Sequence, residues 1–316
     1  MILTVTPNTA LDKILFIDEW IPGTPMRTKK IVTCVGGKGL DSSVVLSHLG
    51  VKTTGLCFVA GEVGKQLLEV VEKYGIATVP IWVNGETRIA HVISELKHHR
   101  HSHVISGELS ITRDHVQQFL NQFDEFVTQA KYVICAGTIP STISQDLYGQ
   151  ITQIDLRQHV PILIDSSKEA ILQAIPVRPT IIKMNWDEFR WTFTTDAPSI
   201  KELIPAAQKI YQEYGLNALV LTLGREGILV FSPEGDFYAI APEQIAVNAA
   251  GAGDAVSSAL VWRLSEGDKW ENALRWSTAT SAAVVLTEGT ADCRMEDILR
   301  IFPFVKIQTI SSFLAV

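Results

Sequence analysis

The chain has 316 residues, of which 47% are apolar and 19% charged, and 27 basic against 34 acidic side chains give a formal net charge of −7. This composition is typical of a packed globular protein and argues against an intrinsically disordered chain. The acidic balance and the absence of a basic run argue against a nucleic-acid-binding protein, although a local group of Arg and Lys can still bind a small anion.

The cysteines and the apolar runs favour a cytoplasmic protein. Cys34, Cys57, Cys135 and Cys293 are scattered without a CxxC spacing, which supports neither a disulfide framework nor a zinc site. The start, MILTVTPNTALDKILF, lacks the pattern of a signal peptide, and no stretch reaches 18 consecutive apolar residues. We therefore expect no membrane-spanning segment.

Two segments early in the chain break the alternation of strand and helix patterns seen elsewhere. Residues 10–35 and about 78–106 have the pattern of extended, amphipathic strands with turns, without a helix pattern. We predict that they form a small sheet outside the main one, which acts as a lid. No linker, low-complexity tract or repeat of fixed period interrupts the sequence, so we predict a single domain over residues 1–316.

The second half of the chain alternates short apolar runs with helix-length segments. Buried strands are predicted over 132–140, 160–167, 179–185 and 217–224, and helices over 143–158 and 199–215. This alternation indicates βαβ units and a parallel sheet covered by helices on both faces. Ligands bind such sheets at the carboxyl ends of the strands, where the segments CAGTIPS, DSS, KMNWDE and TLGREG fall.

Standard nucleotide-binding motifs are not supported. VGGKGLDSS lacks the first Gly and the Lys-Ser/Thr pair of a Walker A loop, and GEVGKQ (61–66) has Gln66 where that loop needs Ser or Thr. GAGDAV lacks the third Gly of a dinucleotide fingerprint and comes late in the chain.

The segment NAAGAGDAVSSALV (248–261) places Gly251, Ala252, Gly253 and Asp254 at the start of an apolar helical stretch. Asp254 either caps this helix or acts chemically beside an anion held by the free N–H groups of the loop. Three other segments, CVGGKGLDSSVVLSHLG (34–50), IIKMNWDEF (181–189) and LTLGREG (221–227), would individually fit ordinary turns and strand ends.

Together, these segments resemble the ribokinase-like (PfkB) carbohydrate kinases, and most closely the branch with 1-phosphofructokinase and tagatose-6-phosphate kinase. The resemblance runs in order from near residue 3 to near residue 295. The matching segments are TPNTALD (6–12), GTPMR (23–27), GGKGL (36–40), GETRI (85–89), AGTIP (136–140), IKMNWDE (182–188), LTLGREG (221–227) and AGAGDA (250–255).

The resemblance implies a fold and an activity. The fold is an α/β, ribokinase-like three-layer sandwich with a central, mostly parallel sheet and a small β-sheet lid. The activity is that of a kinase dependent on ATP and Mg²⁺, which phosphorylates a hydroxyl of a small sugar phosphate. A homodimer through the lid is compatible with this resemblance.

The resemblance also implies a role for each matching residue. Asp254 takes the proton of the sugar hydroxyl, while the backbone of Gly251, Ala252 and Gly253 holds the transferring phosphoryl group. The remaining residues fall into a nucleotide and metal set and an acceptor set. The first set comprises Asn185 and Glu188, which organise Mg²⁺ through water, Lys183 near the phosphates, and Thr222, Gly224 and Gly227 around the nucleotide. The second set comprises Asp12, Gly36, Gly37 and Asp41 at the sugar, and Arg27, Lys38, Arg88 and Thr138 at its phosphate.

Four positions depart from the pattern of the family: Asp41 replaces Asn, Ala136 replaces Ser, Thr142 replaces Gly, and Ala249 replaces a polar or β-branched residue. Asp41 matters most, because a carboxylate cannot donate a hydrogen bond and would lie near the phosphate of the substrate. Asp41 could instead pair with Lys38, or be a helix N-cap. The alternatives are therefore a kinase of a non-phosphorylated sugar or nucleoside and a non-catalytic sugar- or nucleotide-sensing relative.

The segment KHHRHSH (97–103) carries four histidines, His98, His99, His101 and His103. Such a run fits either a transition-metal site or an exposed turn. We expect an exposed turn in the lid.

Overall fold

The computed structural model describes residues 1–98 and 100–314. The strands are β1 (Ile2–Thr6), β2 (Ala10–Ile17), β3 (Lys30–Gly36), β4 (Thr53–Val59), β5 (Ala77–Trp82), β6 (Asn84–Gly85), β7 (Arg88–Glu95), β8 (Arg100–Ser106), β9 (Leu109–Ser110), β10 (Tyr132–Ala136), β11 (Ile162–Asp165), β12 (Ile181–Asn185), β13 (Leu219–Thr222), β14 (Ile228–Ser232), β15 (Gly235–Ile240) and β16 (Lys306–Thr309). The helices are α1 (Lys38–His48), α2 (Gly61–Glu72), α3 (Arg113–Val127), α4 (Leu147–Gln158), α5 (Glu169–Ala174), α6 (Trp186–Phe193), α7 (Ile200–Glu213), α8 (Ala252–Ser265), α9 (Trp270–Val284), α10 (Met295–Ile301) and α11 (Ile310–Leu314).

The central sheet of the described chain has ten strands in the order β16-β15-β14-β13-β12-β11-β10-β1-β4-β5. The strands from β13 to β5 pair in parallel, whereas β14, β15 and β16 add an antiparallel edge. The predicted strands at 132–140, 160–167, 179–185 and 217–224 correspond to β10, β11, β12 and β13. The predicted α/β architecture with a mostly parallel sheet is confirmed.

Helices cover both faces of the central sheet because its strands bury side chains on both sides. In β4, Leu56 and Phe58 pack into one apolar cluster and Cys57 and Val59 into another, as the alternation of side chains along a strand requires. Helices α3 to α7 contribute to the first cluster. Helices α1, α2, α8, α9 and α10 pack on the opposite face.

Two predicted helices are close to the observed ones. Helix α7 begins after Ser199, whose side chain accepts a hydrogen bond from the Glu202 N–H in a capping box. The helix predicted over 143–158 begins only at Leu147. The preceding residues form turns in which the Gln145 amide approaches backbone carbonyls of residues 139, 140 and 143.

A separate sheet of four strands, in the order β3-β2-β7-β8, is built from the segments predicted to form a lid. One part of that prediction is wrong. Residues 77–82 form β5, which pairs in parallel with β4 at the edge of the central sheet. That the small sheet acts as a lid stays a prediction.

The histidine-rich segment lies where β7 turns into β8. Lys97 and His98 are exposed at this turn, and both contact Glu19. His99 lies outside the described residues. Among the residues that the structure describes, no group of three or more His, Cys, Asp or Glu is placed to hold a metal ion.

The described chain contains no helix that is both long and apolar enough to cross a membrane. The cytoplasmic location stays a prediction. All four cysteines are buried.

Candidate active site

The polar residues singled out in the sequence meet at one edge of the central sheet. Strands β10, β11, β12 and β13 are parallel, so that Ala136 lies beside Asp165, and Asn185 lies beside Thr222. Helix α1 begins at Lys38 and helix α8 begins at Ala252. Carboxyl ends of strands and amino ends of helices therefore create a polar edge of the type at which α/β sheets bind ligands.

Gly251 is the N-cap of α8, and it adopts φ +83°, a conformation that favours glycine. A Cβ at this position would lie 2.4 Å from the Ala291 backbone nitrogen, so a larger residue would displace backbone. Asp254 lies in the first turn of α8, and the helix has no side-chain cap. The interpretation of Asp254 as the N-cap is therefore wrong.

Asp254 is a buried acid, only 7% exposed. Burial, together with the charge of Asp165, raises the pKa of Asp254 to about 7, against the lowering effect of Lys183 and Lys38. A carboxyl group with a pKa near neutrality can accept and release a proton under physiological conditions, which suits a general base.

Asp165 joins two lysines beside Asp254. Its Oδ2 atom accepts hydrogen bonds from Lys183 Nζ at 2.7 Å and Ser257 Oγ at 3.1 Å, and its Oδ1 atom accepts one from Lys38 Nζ at 3.1 Å. Lys38 Nζ also donates to Glu188 Oε1 at 2.8 Å. Burial alone would raise the pKa of Asp165, but the two lysines hold it below its usual range. This network fixes two positive charges close to the amino end of α8.

Lys183 lies close to the backbone of Gly253, which explains why this position has no side chain. A Cβ on Gly253 would lie 3.0 Å from Lys183 Nζ, so the backbone here passes close to the buried ammonium group. An uncapped helix amino end favours anions, because its N–H groups point outward and the helix dipole is positive there. The α8 amino end and Lys183 together provide a site suited to a phosphate.

Asn185 and Glu188 form a capping box at the start of α6. Asn185 Oδ1 accepts a hydrogen bond from the Glu188 N–H, and Glu188 Oε2 accepts one from the Asn185 N–H, both at 2.8 Å. The sequence reasoning did not foresee this structural role, although the Asn-x-x-Glu spacing before an apolar run is its sequence signature.

The capping box limits how these two residues can hold Mg²⁺. Each oxygen of Glu188 already accepts one hydrogen bond from the protein. A carboxylate oxygen has a second lone pair, and Mg²⁺ usually keeps several waters. Asn185 and Glu188 therefore fit a hydrated Mg²⁺ held through its waters, and this mode of binding stays a prediction.

The predicted nucleotide residues occupy the end of β13 and the turn after it. A Cβ on Gly227, which has φ +106°, would lie 2.2 Å from the Ala239 carbonyl oxygen of β15. This glycine is thus explained by the packing of two strands. Gly224 has φ +61° and faces open space. The roles of Thr222 and both glycines at a nucleotide stay predictions.

Asp12 lies on β2 of the small sheet, next to the glycine turn that leads into α1. A Cβ on Gly36 would lie 2.2 Å from Asp12 Oδ1, so this glycine makes room for the carboxyl group. Thr290 Oγ1 donates a hydrogen bond to Asp12 Oδ2 at 3.2 Å. Burial raises the pKa of Asp12 to about 6, although the Thr290 hydrogen bond and the Arg88 charge lower it. Gly37, at φ +100°, completes the turn as the N-cap of α1.

Two of the predicted phosphate ligands are already engaged with the backbone or a neighbour. Arg88 donates to the carbonyl oxygens of Asn8 at 2.9 Å and Thr9 at 3.3 Å. Thr138 accepts a hydrogen bond from the Asn8 side-chain amide at 3.0 Å. Asn8 therefore connects Arg88 to Thr138, a role that the sequence analysis missed.

The other two predicted phosphate ligands are Arg27 and Lys38, of which Arg27 is exposed and Lys38 is held in ion pairs. Arg27 lies in the exposed loop between β2 and β3. Burial lowers the pKa of Lys38, but the carboxylates of Asp165 and Glu188 outweigh this effect and raise it. Lys38 is thus a permanently charged group shared between two acids.

Asp41 lies in the first turn of α1, and both of the structural roles considered for it are wrong. Gly37 is the N-cap of this helix, without a side-chain cap, so Asp41 does not cap it. Lys38 donates to Asp165 and Glu188 and makes no hydrogen bond to Asp41 among the described contacts. Asp41 Oδ1 is buried and has no hydrogen-bond partner in the described protein.

The loop after α9, residues 288–291, contacts three parts of the site. Thr290 bonds Asp12, the Ala291 N–H donates to the Ala250 carbonyl at 3.1 Å, and Glu288 pairs with Lys30 of β3. No role was predicted from the sequence for this loop or for Asp165. The position of Asp165 at the carboxyl end of a buried strand was the signal that could have identified it.

Comparisons with known proteins agree with this geometry. A family model described as pfkB family carbohydrate kinase matches residues 9–298. The 1-phosphofructokinase of Bacillus subtilis (strain 168) is 28% identical over 309 residues, which cover 97% of this chain and 99% of that protein. The D-tagatose-1-phosphate kinase of Klebsiella oxytoca is 26% identical over 308 residues, which cover 97% of this chain and 100% of that protein.

The structure of Arabidopsis thaliana ribokinase complexed with ribose and ATP is similar to this fold. It superimposes with a TM-score of 0.75 at 18% identity, over 96% of this chain and 98% of that chain. The likeness shows the fold, and the predicted ribokinase-like architecture is confirmed.

Proposed function

Because this chain belongs to the pfkB family of carbohydrate kinases, we propose that it transfers the terminal phosphoryl group of ATP to a hydroxyl group of a ketohexose phosphate, such as fructose 1-phosphate or a tagatose phosphate. The single observation that carries the proposal is the placement of Asp254. This buried acid, with a pKa of about 7, lies at an uncapped helix amino end beside two fixed lysines.

Asp254 acts as the general base. It accepts the proton of the acceptor hydroxyl while the oxygen of that hydroxyl forms its bond to the terminal phosphorus. The bond between this phosphorus and the bridging oxygen of the nucleotide breaks, and ADP leaves with the electron pair. Positioning and charge stabilisation supply most of the rate in such a transfer, since the protein forms no covalent bond itself.

The backbone of Gly251, Ala252 and Gly253 holds the moving phosphoryl group, with the N–H groups of Gly251 and Gly253 as donors, since the Ala252 N–H donates to the Ala249 carbonyl oxygen at 3.3 Å. Lys183 adds a buried positive charge beside them, held in place by Asp165 at 2.7 Å. These donors are fixed before substrates bind, so they need little reorganisation as charge develops. Asn185 and Glu188 would hold a hydrated Mg²⁺, which neutralises charge on the nucleotide phosphates when bound.

The acceptor is held from the small sheet and the α1 amino end. Asp12 accepts hydrogen bonds from sugar hydroxyls, and its position is fixed by Thr290 and Gly36. Arg27 contacts the phosphate of the acceptor with bidentate donors, which suit a phosphate group. Closure of the small sheet excludes water, so the sugar hydroxyl and not water receives the phosphoryl group.

The test is ADP release with MgATP and a panel of acceptors. The panel contains fructose 1-phosphate, tagatose 1-phosphate, tagatose 6-phosphate, fructose 6-phosphate, and the free sugars. We expect turnover with a ketohexose phosphate and much weaker turnover with the matching free sugar. Arg27→Ala should reduce this preference without reducing turnover of the free sugar.

A kinase of a neutral sugar is the second candidate, because two of the five N–H donors of Arg88 already bond backbone carbonyls. Turnover of only a neutral acceptor would overturn the phosphate part of the proposal. Thermal stabilisation by a sugar or nucleotide with no turnover of any acceptor would overturn the kinase itself and favour a sensing protein.

We also infer a homodimer that forms through the small sheet. Ile31 on β3 and Val104 and Ile105 on β8 are apolar and more than half exposed, on the two edge strands of this sheet. Exposed edge strands and apolar side chains favour pairing with a second copy. Light scattering should give twice the mass of 34.8 kDa, and Val104→Lys should reduce it to that of one chain.

A further inference from the structure

Asp41 is a buried acid, and one of its oxygens has no hydrogen-bond partner among the described residues. It is 5% exposed, and its Oδ1 atom makes no hydrogen bond with any described residue. A buried polar atom without a partner costs free energy, and a buried charge without one costs far more. The chain keeps this acid although neither a helix cap nor an ion pair accounts for it.

The neighbours of Asp41 make its ionised form unfavourable. Five titratable groups interact with it electrostatically: Asp12 on β2, Cys34 on β3, Lys38 on α1, Tyr74 after α2, and Asp254 on α8. Burial, followed by the charges of Asp254 and Asp12, raises the pKa of Asp41 well above its usual range, and Lys38 offsets only part of this. Lys38 itself is held by Asp165 and Glu188.

Asp41 interacts electrostatically with Asp254 and Asp12, the two acids to which the proposed function gives chemical roles. Asp254 faces the hydroxyl that is phosphorylated, and Asp12 binds other hydroxyls of the acceptor. The charge of Asp41 is coupled to both. A neutral carboxylic acid has one O–H donor and retains acceptor capacity, whereas a carboxylate can only accept. A carboxylate here would also repel the phosphates of both substrates.

On the basis of the proposed function, we propose that Asp41 is a neutral carboxylic acid in the working enzyme, and that its O–H group donates a hydrogen bond to a hydroxyl of the acceptor sugar between Asp12 and Asp254. Asp41 then selects and orients the acceptor, while Asp254 remains the base. Ionisation of Asp41 at alkaline pH removes the donor and weakens acceptor binding.

The first experiment compares Asp41→Asn with Asp41→Ala. Asn keeps a neutral group that donates and accepts, whereas Ala removes both functions. With the preferred acceptor of the panel, Asp41→Ala should raise KM for the sugar at least about tenfold, as expected for a lost hydrogen bond. Asp41→Asn should raise it much less, and KM for ATP should change little in both. Equal impairment by Asn and Ala would overturn the proposal.

The pH dependence of KM separates a donor from a merely structural residue. In the unmodified protein, KM for the sugar should rise as the pH increases through the raised pKa of Asp41. Asp41→Asn should lack this alkaline rise. An identical alkaline rise in both proteins would overturn the proposal, and this comparison decides the matter even if Asp41→Ala does not fold.

A third measurement does not depend on turnover. Infrared difference spectra between the unmodified protein and Asp41→Asn at pH 8 should show the carbonyl band of one protonated carboxyl group, lost in the variant. Absence of this band would overturn the inference about Asp41. A band without turnover of any acceptor would leave Asp41 protonated but would overturn the proposed function, so the two failures are distinguishable.

Discussion

The two sides of the candidate site differ in how their charges are compensated. On the transfer side, Lys183 is paired with Asp165 at 2.7 Å, and Lys38, which was predicted to bind the phosphate of the acceptor, is paired beside it with Asp165 at 3.1 Å and Glu188 at 2.8 Å. On the acceptor side, Asp41 has an unpartnered buried oxygen, and Arg27 lies in an exposed loop.

This difference follows from what each side must do. The charges that act on a phosphoryl group gain most when they are fixed beforehand, because no reorganisation is needed during the reaction. Under the proposed function, the acceptor sugar would supply the hydrogen-bond partner that Asp41 Oδ1 lacks among the described residues. The fold alone would then assemble the transfer side, and the ligand would complete the acceptor side.

The largest effect on the transfer side is expected from Asp254→Asn. The variant keeps the shape of the side chain but cannot accept the proton, so kcat should fall by about 10²- to 10⁴-fold. Nucleotide affinity, measured by calorimetry, should stay close to that of the unmodified protein. Turnover close to that of the unmodified protein would exclude Asp254 as the base.

Although Asp254→Asn should reduce activity, it should increase the stability of the folded protein at alkaline pH. The folded state binds the Asp254 proton more tightly than the unfolded state, because its pKa is raised to about 7. The contribution of this group to stability is therefore largest at acidic pH and is lost progressively as the pH rises from its ordinary pKa of 3.8 to about 7. At pH 8, Asp254→Asn should melt at a higher temperature than the unmodified protein, and at pH 5 the difference should be smaller. In the active protein, kcat should fall below pH 7 as Asp254 becomes protonated.

Asp165→Asn should destabilise the folded protein by removing the buried carboxylate that pairs with both lysines. It leaves Lys183, which is 2% exposed, without a charged partner. Removing one partner of a buried pair costs about 3–5 kcal/mol, which corresponds to a melting temperature lower by roughly 6–20 °C. Glu266→Gln is the matched control, since it breaks an exposed pair with Lys131 at 3.0 Å. The control should cost less than about 1 kcal/mol, and equal effects would show that the buried network is not special.

Gly36→Ala should affect the acceptor side alone. The new Cβ would lie 2.2 Å from Asp12 Oδ1 and 2.9 Å from the Ala10 carbonyl oxygen, so it displaces the Asp12 carboxyl group. Loss of a hydrogen bond to a charged group should raise KM for the sugar about tenfold or more, with KM for ATP nearly unchanged. Gly50→Ala is a control with a positive φ and open space around it. An increase in KM for ATP after Gly36→Ala would contradict the division into two sides.

Arg27→Ala should give the smallest effect. Its side chain is exposed and outside the paired network, so the melting temperature should not change. KM for a phosphorylated acceptor should rise several-fold, and raising the salt concentration should reduce the difference between variant and unmodified protein. An equal effect on a neutral sugar would contradict a contact between Arg27 and phosphate.

The sequence predicted the strands and helices better than the ion pairs and hydrogen bonds of the site. The strands β10 to β13 could be predicted, because short apolar runs with polar ends are a local signal. The edge strand β5 was assigned to the small sheet, because its sequence resembles the extended segments next to it. Which sheet a strand joins depends on contacts with residues distant along the chain, here β4.

Charge pairing shows the same limit. Lys38 and Asp165 are 127 residues apart, and Thr290 and Asp12 are 278 residues apart. No local pattern indicates such pairs, so the partners of Lys38 and Asp12 were missed, although the place of Asp165 at a strand end was a signal for that residue by itself. Asp41 was predicted at the sugar, with a helix N-cap as an alternative because it follows a glycine turn, but the helix begins three residues earlier, at Lys38.

The contacts of the loop at 288–291 limit which sequence changes this loop can tolerate. Its backbone bonds Ala250, its Thr290 side chain bonds Asp12, and its Ala291 backbone sets the space beside Gly251. One short connection thus links Asp12, the proposed sugar-binding acid, to the loop that precedes Asp254, the proposed base. Insertions or deletions in this loop would shift both groups at once, whereas substitutions that keep a hydroxyl at 290 would not. Over evolutionary time, the length of this connection should therefore vary less than its composition.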